Sequence, residues 1–137
     1  AAPLRFSKSS SREVALYALA LDREVGVDVE YVDPAIVDER FASAAFPACI
    51  RAAAAGLSPV RRTAFFYECW TRAEAWGKAR GRGLVGMREE RLGPKEQWTL
   101  FNCSPEPFYA GACAVEGSGA ALARRIFLCA PRPLAPR

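Results

Sequence analysis

The sequence predicts an α+β fold in which an antiparallel sheet packs against one long helix and shorter helices. Three features carry that reading. Glu24 to Val32 (EVGVDVEYV) alternates valine or tyrosine with acidic or glycine positions, the period-two pattern of a strand. Residues 59–80 form the longest helical stretch, entered through Ser58-Pro59 and stopped by Gly81 and Gly83. Residues 85–130 break into short β-compatible runs separated by Gly and Pro. At 137 residues, 51% hydrophobic and 25% charged, the chain is long enough for one domain with its own core.

Taken in order, Val14 to Leu21 (VALYALAL) is apolar and β-compatible, although its Leu and Ala positions also suit a helix. Leu21-Asp22-Arg23 reads as a hairpin turn leading into the strand at 24–32. Asp33-Pro34 opens a helix, with Asp33 as N-cap and Pro34 in the first helical position. The alanine-rich segment 42–55 continues helically, is interrupted at Pro47 and ends at Gly56. Ser58-Pro59 repeats the cap-and-proline signature ahead of the long helix. Gln97 to Asn102, Phe108 to Val115 and Arg125 to Cys129 are the later strands. With no internal repeat, a single domain over 1–130 followed by a tail at 131–137 is expected.

Composition narrows the chemistry. There is no histidine, which excludes Ser-His and Cys-His hydrolases and His-ligated metal sites built from this chain alone. Carboxylates, Lys, Arg, hydroxyls and thiols remain. Five cysteines at widely spaced positions, with no C-x-x-C pair, argue against a disulfide framework or zinc ribbon and for reduced, buried thiols. A net charge of +4, with arginine scattered along the chain, argues against a nucleic-acid partner. The 26 alanines and the preference for arginine over lysine fit genomic base composition better. No apolar run approaches the length of a membrane span and no signal peptide is visible, so a cytoplasmic location is expected.

Two charge placements stand out. Asp28 and Glu30 share one face of the strand, where neighbouring carboxylates repel unless a cation lies between them. A solvated outer face is the simpler explanation, but Gly26 beside them leaves room for a ligand. On the long helix, Phe66, Tyr67, Trp70, Glu74, Gly77 and Lys78 form one stripe at spacings of three and four, passing from aromatic to charged. An exposed Glu74–Lys78 pair would explain its charged end. If strand and helix converge, three carboxylates and a lysine form a site for a hard cation and a phosphate.

These segments resemble the 4′-phosphopantetheinyl transferase superfamily, in particular the second lobe of the surfactin-synthetase-activating type. GVDVE (Gly26 to Glu30) matches the family's G-[VI]-D-[VI]-E. WTRAEAWGKARGRGL (Trp70 to Leu84) matches W-x-x-K-E-[AS]-x-x-K-x-x-G-x-G-L, and FSKSSS (Phe6 to Ser11) stands where the family carries F-N-x-S-H-S. The resemblance covers roughly residues 4–115.

It implies a 4′-phosphopantetheinyl transferase-like fold and a Mg2+-dependent reaction. A serine of an acyl or peptidyl carrier protein attacks coenzyme A, takes the 4′-phosphopantetheine arm and releases 3′,5′-ADP. Carried over by position, Asp28, Glu30 and Glu74 hold the metal. Glu74, Lys78 and Asp28 carry the catalysis, with Glu74 as base and Lys78 neutralising phosphate charge. Ser9, Ser10 and Lys78 bind coenzyme A. Two departures bear on phosphate binding: Ser10 replaces the family histidine and Ala73 the lysine before the catalytic glutamate. The related holo-acyl-carrier-protein synthases are this short and act as trimers, whereas surfactin-type enzymes have two lobes. The resemblance therefore implies a missing N-terminal lobe or self-association. The alternative is a degenerate, non-catalytic domain kept for carrier docking or assembly.

Overall fold

The structure is a computed structural model, and it describes residues 1–35, 39–81 and 98–118. Among the described residues, five strands and three helices follow in the order β1 (Leu4–Ser11), β2 (Val14–Leu21), β3 (Val25–Tyr31), α1 (Glu39–Ala45), α2 (Ala48–Ala54), α3 (Pro59–Ala79), β4 (Trp98–Asn102) and β5 (Tyr109–Glu116). The α+β class with antiparallel sheets, one long helix and two short ones agrees with the sequence expectation. The expected strand at Arg125 to Cys129, the stop at Gly83 and the 131–137 tail lie outside the described residues.

The strands form two antiparallel sheets, a β1-β2 hairpin and a three-stranded sheet in the order β3-β5-β4. The sheet is the middle layer. Its even-numbered β3 positions, Gly26, Asp28 and Glu30, pair with Ala114, Ala112 and Ala110 of β5. Ala112 and Ala114 pack with Ala75, Trp76 and Ala79 of α3, and Trp98 and Leu100 of β4 close that cluster. On the opposite face Val25, Val27 and Cys113 meet Leu16, Ala18 and Ala20, the inward side chains of β2. A separate aromatic cluster holds α1 and α2 against the first half of α3, with Phe46 stacked on Phe66 at 4.8 Å and Trp70 beside both Phe41 and Phe46.

Several expectations need correction. Leu21-Asp22-Arg23 does not close a β2-β3 hairpin, because the two strands lie in different sheets. β2 spends its backbone hydrogen bonds on β1, in register from Leu4↔Leu21 to Ser11↔Val14. Asp22, at φ 56, donates its N–H to Pro3 across that same hairpin. β1 itself is a strand the residue pattern did not announce, since a serine-rich run lacks β-branched side chains. Asp33 accepts the Ala35 N–H at 3.0 Å as a capping residue would, but residues 34–35 form a turn and the described helix starts at Glu39. Ser58 has N-cap geometry without a side-chain capping bond, so Pro59 alone marks the start of α3.

The four described cysteines are free thiols, as expected, but not all are buried. Cys49 is exposed, Cys69 and Cys103 half-buried, and Cys113 buried. Burial pushes the Cys103 thiol up to about 11 and the Cys113 thiol up to about 12, which keeps both protonated and inert.

Gly26 is needed for close approach of the helix, not to leave room for a ligand. A Cβ there would meet the backbone oxygen of Ala75 and lie 2.5 Å from the Ala79 nitrogen, both on α3. Gly26→Ala should therefore push the helix off the sheet and cost about 3 kcal/mol, the upper range for overpacking. Chemical denaturation measures this, and a loss below about 1 kcal/mol would show that helix and sheet can part without penalty.

Candidate functional site

The polar site lies where α3 crosses β3 and β1 passes β3's other edge. Asp28 is at its centre. Far from forming a solvated outer face, it is 3% exposed, because its side of the strand is covered by α3. Lys78 Nζ donates to Asp28 Oδ1 at 2.7 Å and to the Val27 carbonyl at 3.2 Å. Ser9 Oγ donates to the same Oδ1 at 2.8 Å. Oδ2 is buried and has no hydrogen-bond partner among the described residues. Such an atom is costly in a dry interior unless it serves a ligand.

Lys78 belongs to the α3 stripe, but its partner is Asp28 and not Glu74. The i,i+4 explanation therefore fails: among the described residues, Glu74 makes no ion pair. The carboxylates nonetheless sense one another. Glu30 is raised above its usual range, first by burial and then by the Asp28 charge, with Ser11 and Lys78 acting in the opposite direction. Glu74 is raised by burial, then by Asp28 and more weakly by Glu30, while Lys78 opposes. Strand and helix thus converge, the condition that the sequence left open.

The serines of β1 divide by face. Ser9 is buried on Asp28, while Ser10 is exposed on the opposite side of the hairpin, among Lys8 and Tyr17. No described contact joins Ser10 to the carboxylates. Arg72, the cation nearest in sequence to Ala73, is exposed and reaches Asn102 of β4 at 3.5 Å. It does not replace the lysine missing at position 73. The residues that sequence reasoning passed over are Ser7 and Ser11. Ser7 Oγ accepts the Val27 N–H at 3.1 Å, and Ser11 Oγ accepts the Tyr31 N–H at 3.0 Å and donates to Glu30 Oε2 at 3.1 Å. Their signal was present as serine at every second position of FSKSSS.

In kind, the residues suit a hard divalent cation: oxygen donors only, excess negative charge and one buried oxygen without a partner. Among the described residues, however, no three acidic or thiol groups stand close enough to share an ion. Glu30 and Glu74 are both half-buried beside the buried Asp28.

Comparison with known proteins gives the family of this α+β fold, in which a carboxylate–lysine pair lies between sheet and long helix. Residues 24–108, more than half the chain, match the model of the 4′-phosphopantetheinyl transferase superfamily. The chain belongs to that superfamily. It is also similar to the 4′-phosphopantetheinyl transferase HetI of a Nostoc species, 29% identical over 126 residues, which cover 85% of this chain and 53% of the relative. The chain thus spans about half the length of that curated relative.

Two predictions follow from the charges. Removing the Lys78 ammonium strands a buried carboxylate, so Lys78→Met should cost about 3 kcal/mol. The lysine is one-third exposed, which places this at the low end for a broken buried pair. Adding Asp28→Asn to that variant should restore most of the loss, measured by denaturation; no recovery would mean the lysine acts through packing alone.

The second prediction concerns pH. Folded Glu30 and Glu74 hold protons more tightly than their usual value of 4.5, so each contributes stability at low pH that is lost as pH rises through the raised pKa. A Glu30→Gln/Glu74→Gln variant should therefore melt above the metal-free wild type near neutral pH, with the gap closing toward about pH 4. A gap that widened on acidification would contradict the direction of both shifts.

Proposed function

We propose that this chain transfers the 4′-phosphopantetheine arm of coenzyme A to a serine of an acyl or peptidyl carrier protein, releasing 3′,5′-ADP. The observation that carries the reading is the buried Asp28 with an unpartnered Oδ2, flanked by Glu30, Glu74 and Lys78 on the elements that match the family. Asp28, Glu30 and Glu74 would hold Mg2+, which when bound supplies neutralising charge at the diphosphate. Lys78 adds a second positive charge on the same side and steadies the departing phosphate. Glu74, on the same face of α3 as Lys78, is the proposed acceptor of the carrier serine's proton. Ser9 and Ser10 are the proposed coenzyme A contacts of β1. Ser9 spends its proton on Asp28 and keeps lone pairs only, whereas exposed Ser10 can donate to phosphate.

The outer face of the hairpin supports completion of the protein by a second lobe or a second copy. Leu4 faces Leu21 and Phe6 faces Leu19 across it, with Tyr17 alongside, and all five are more than half exposed. That is an apolar patch of the kind that marks an association surface. No helix among the described residues is long and apolar enough to cross a membrane. We read the protein as cytoplasmic and without a nucleic-acid partner.

A second reading, a degenerate docking or assembly domain, is favoured by Ser10 and Ala73, which stand in place of the family's histidine and lysine, and by Arg72, which reaches Asn102 instead of replacing that lysine. One experiment separates them. Incubation with Mg2+, fluorescent coenzyme A and a panel of apo carrier proteins should label a carrier serine, and Asp28→Ala should lower the rate at least about 100-fold. A folded protein that labels no carrier, and whose calorimetric titration with coenzyme A and Mg2+ gives no signal, would establish the non-catalytic reading instead.

A further inference from the structure

The geometry points to Ser11 as a positioning residue that holds the Glu30 carboxylate ready for a divalent cation. The inference rests on the proposed metal site and extends it to a residue outside the proposed ligands and coenzyme A contacts. A serine hydroxyl has one proton and two lone pairs. At Ser11 one lone pair accepts the Tyr31 N–H at 3.0 Å, and because an amide can only donate, the hydroxyl proton is left to point elsewhere. It points to Glu30 Oε2 at 3.1 Å. The backbone of β3 thus sets the direction of the hydroxyl, and the hydroxyl sets the carboxylate.

The same arrangement recurs one step along the strand. Ser9 and Lys78 both take Oδ1 of Asp28 and leave Oδ2 without a partner. Ser11 takes Oε2 of Glu30, and no described residue bonds Oε1. Each β3 carboxylate is held by one oxygen and offers the other. Glu30 needs this more than Asp28 does, because it is only half-buried and has an additional rotatable bond to restrain. Ser7 provides an internal contrast. It sits in the same row and accepts a β3 amide in the same way, but through Val27 at 3.1 Å, and no bond to a carboxylate is described for it.

The test compares Ser11→Ala with Ser7→Ala in the full chain, since each loses one amide contact and only the first releases a carboxylate. Mn2+ binding is read directly by electron paramagnetic resonance, alongside thermal melting and the Mg2+ dependence of transfer. Ser11→Ala should weaken Mn2+ binding about tenfold and raise the Mg2+ needed for half-maximal rate by a similar factor, with the rate at saturating Mg2+ little changed. Ser7→Ala should lose similar thermal stability and bind Mn2+ within about twofold of wild type, and Ser11→Thr, which keeps the hydroxyl, should restore binding. If Ser11→Ala does not fold, Ser11→Cys, a weak donor of similar size, takes its place.

Equal Mn2+ affinity in the Ser11 and Ser7 variants would overturn the inference while leaving the metal site standing. Wild-type protein that binds no Mn2+, or binds it undiminished in Asp28→Ala, would overturn the site and the inference together.

Discussion

A single buried carboxylate ties the three layers of this protein together. Asp28 belongs to the sheet, its Lys78 partner to the long helix and its Ser9 partner to the hairpin, and all three meet at one side chain. Taking a carboxylate and an ammonium out of water costs several kcal/mol per ion. Their contact is better understood as a register device than as a source of net stability. A helix shifted by one turn, or a strand slipped by one residue, would leave a charge buried and unpaired. The constraint that fixes the packing is also the one that leaves Oδ2 without a partner.

Much of this was legible in the sequence, for local reasons. Strict alternation marked β3, Pro59 marked the start of α3, and Pro47 marked the break between α1 and α2. The helical stripe runs from an aromatic cluster at Phe66 and Trp70 to the charged residues Glu74 and Lys78. What could not be read was non-local. Alternation shows which residues of a strand share a face, but not what covers that face, so Asp28 looked solvated although α3 covers it. A turn sequence at Leu21-Asp22-Arg23 does not reveal that both flanking strands have better partners elsewhere. Gly26 looked like space for a ligand because the helix that fills the space arrives some 50 residues later in the chain.

The hairpin shows how one short segment can do two kinds of work. Its inward row of serines lies along the edge of β3 that β5 leaves open. There, side-chain oxygens take the place of a neighbouring strand's carbonyls for the Val27 and Tyr31 amides. Because the bonds come from side chains and not from a backbone ladder, two of those hydroxyls can also address the acidic side chains. Its outward face carries exposed apolar side chains, with Leu4, Phe6, Leu19 and Leu21 facing away from the molecule. Arg12 turns the chain between the strands at φ 50, its guanidinium 3.4 Å over the Tyr31 ring and 3.5 Å from Asp33. That bracing offsets part of the roughly 1–2 kcal/mol a non-glycine residue loses in such a conformation.

The alanines at the helix–sheet seam give the composition a second meaning. Ala75, Ala79, Ala112 and Ala114 are all buried, and together with Gly26 they hold α3 close against β3 and β5. A methyl group is the thinnest side-chain spacer available, so the seam acts as a gauge block between the helix that carries Glu74 and Lys78 and the strand that carries Asp28 and Glu30. Valine at any of these four positions would be a mild change on a hydrophobicity scale. Here it would be an error of dimension, widening the gap across which opposite charges must meet.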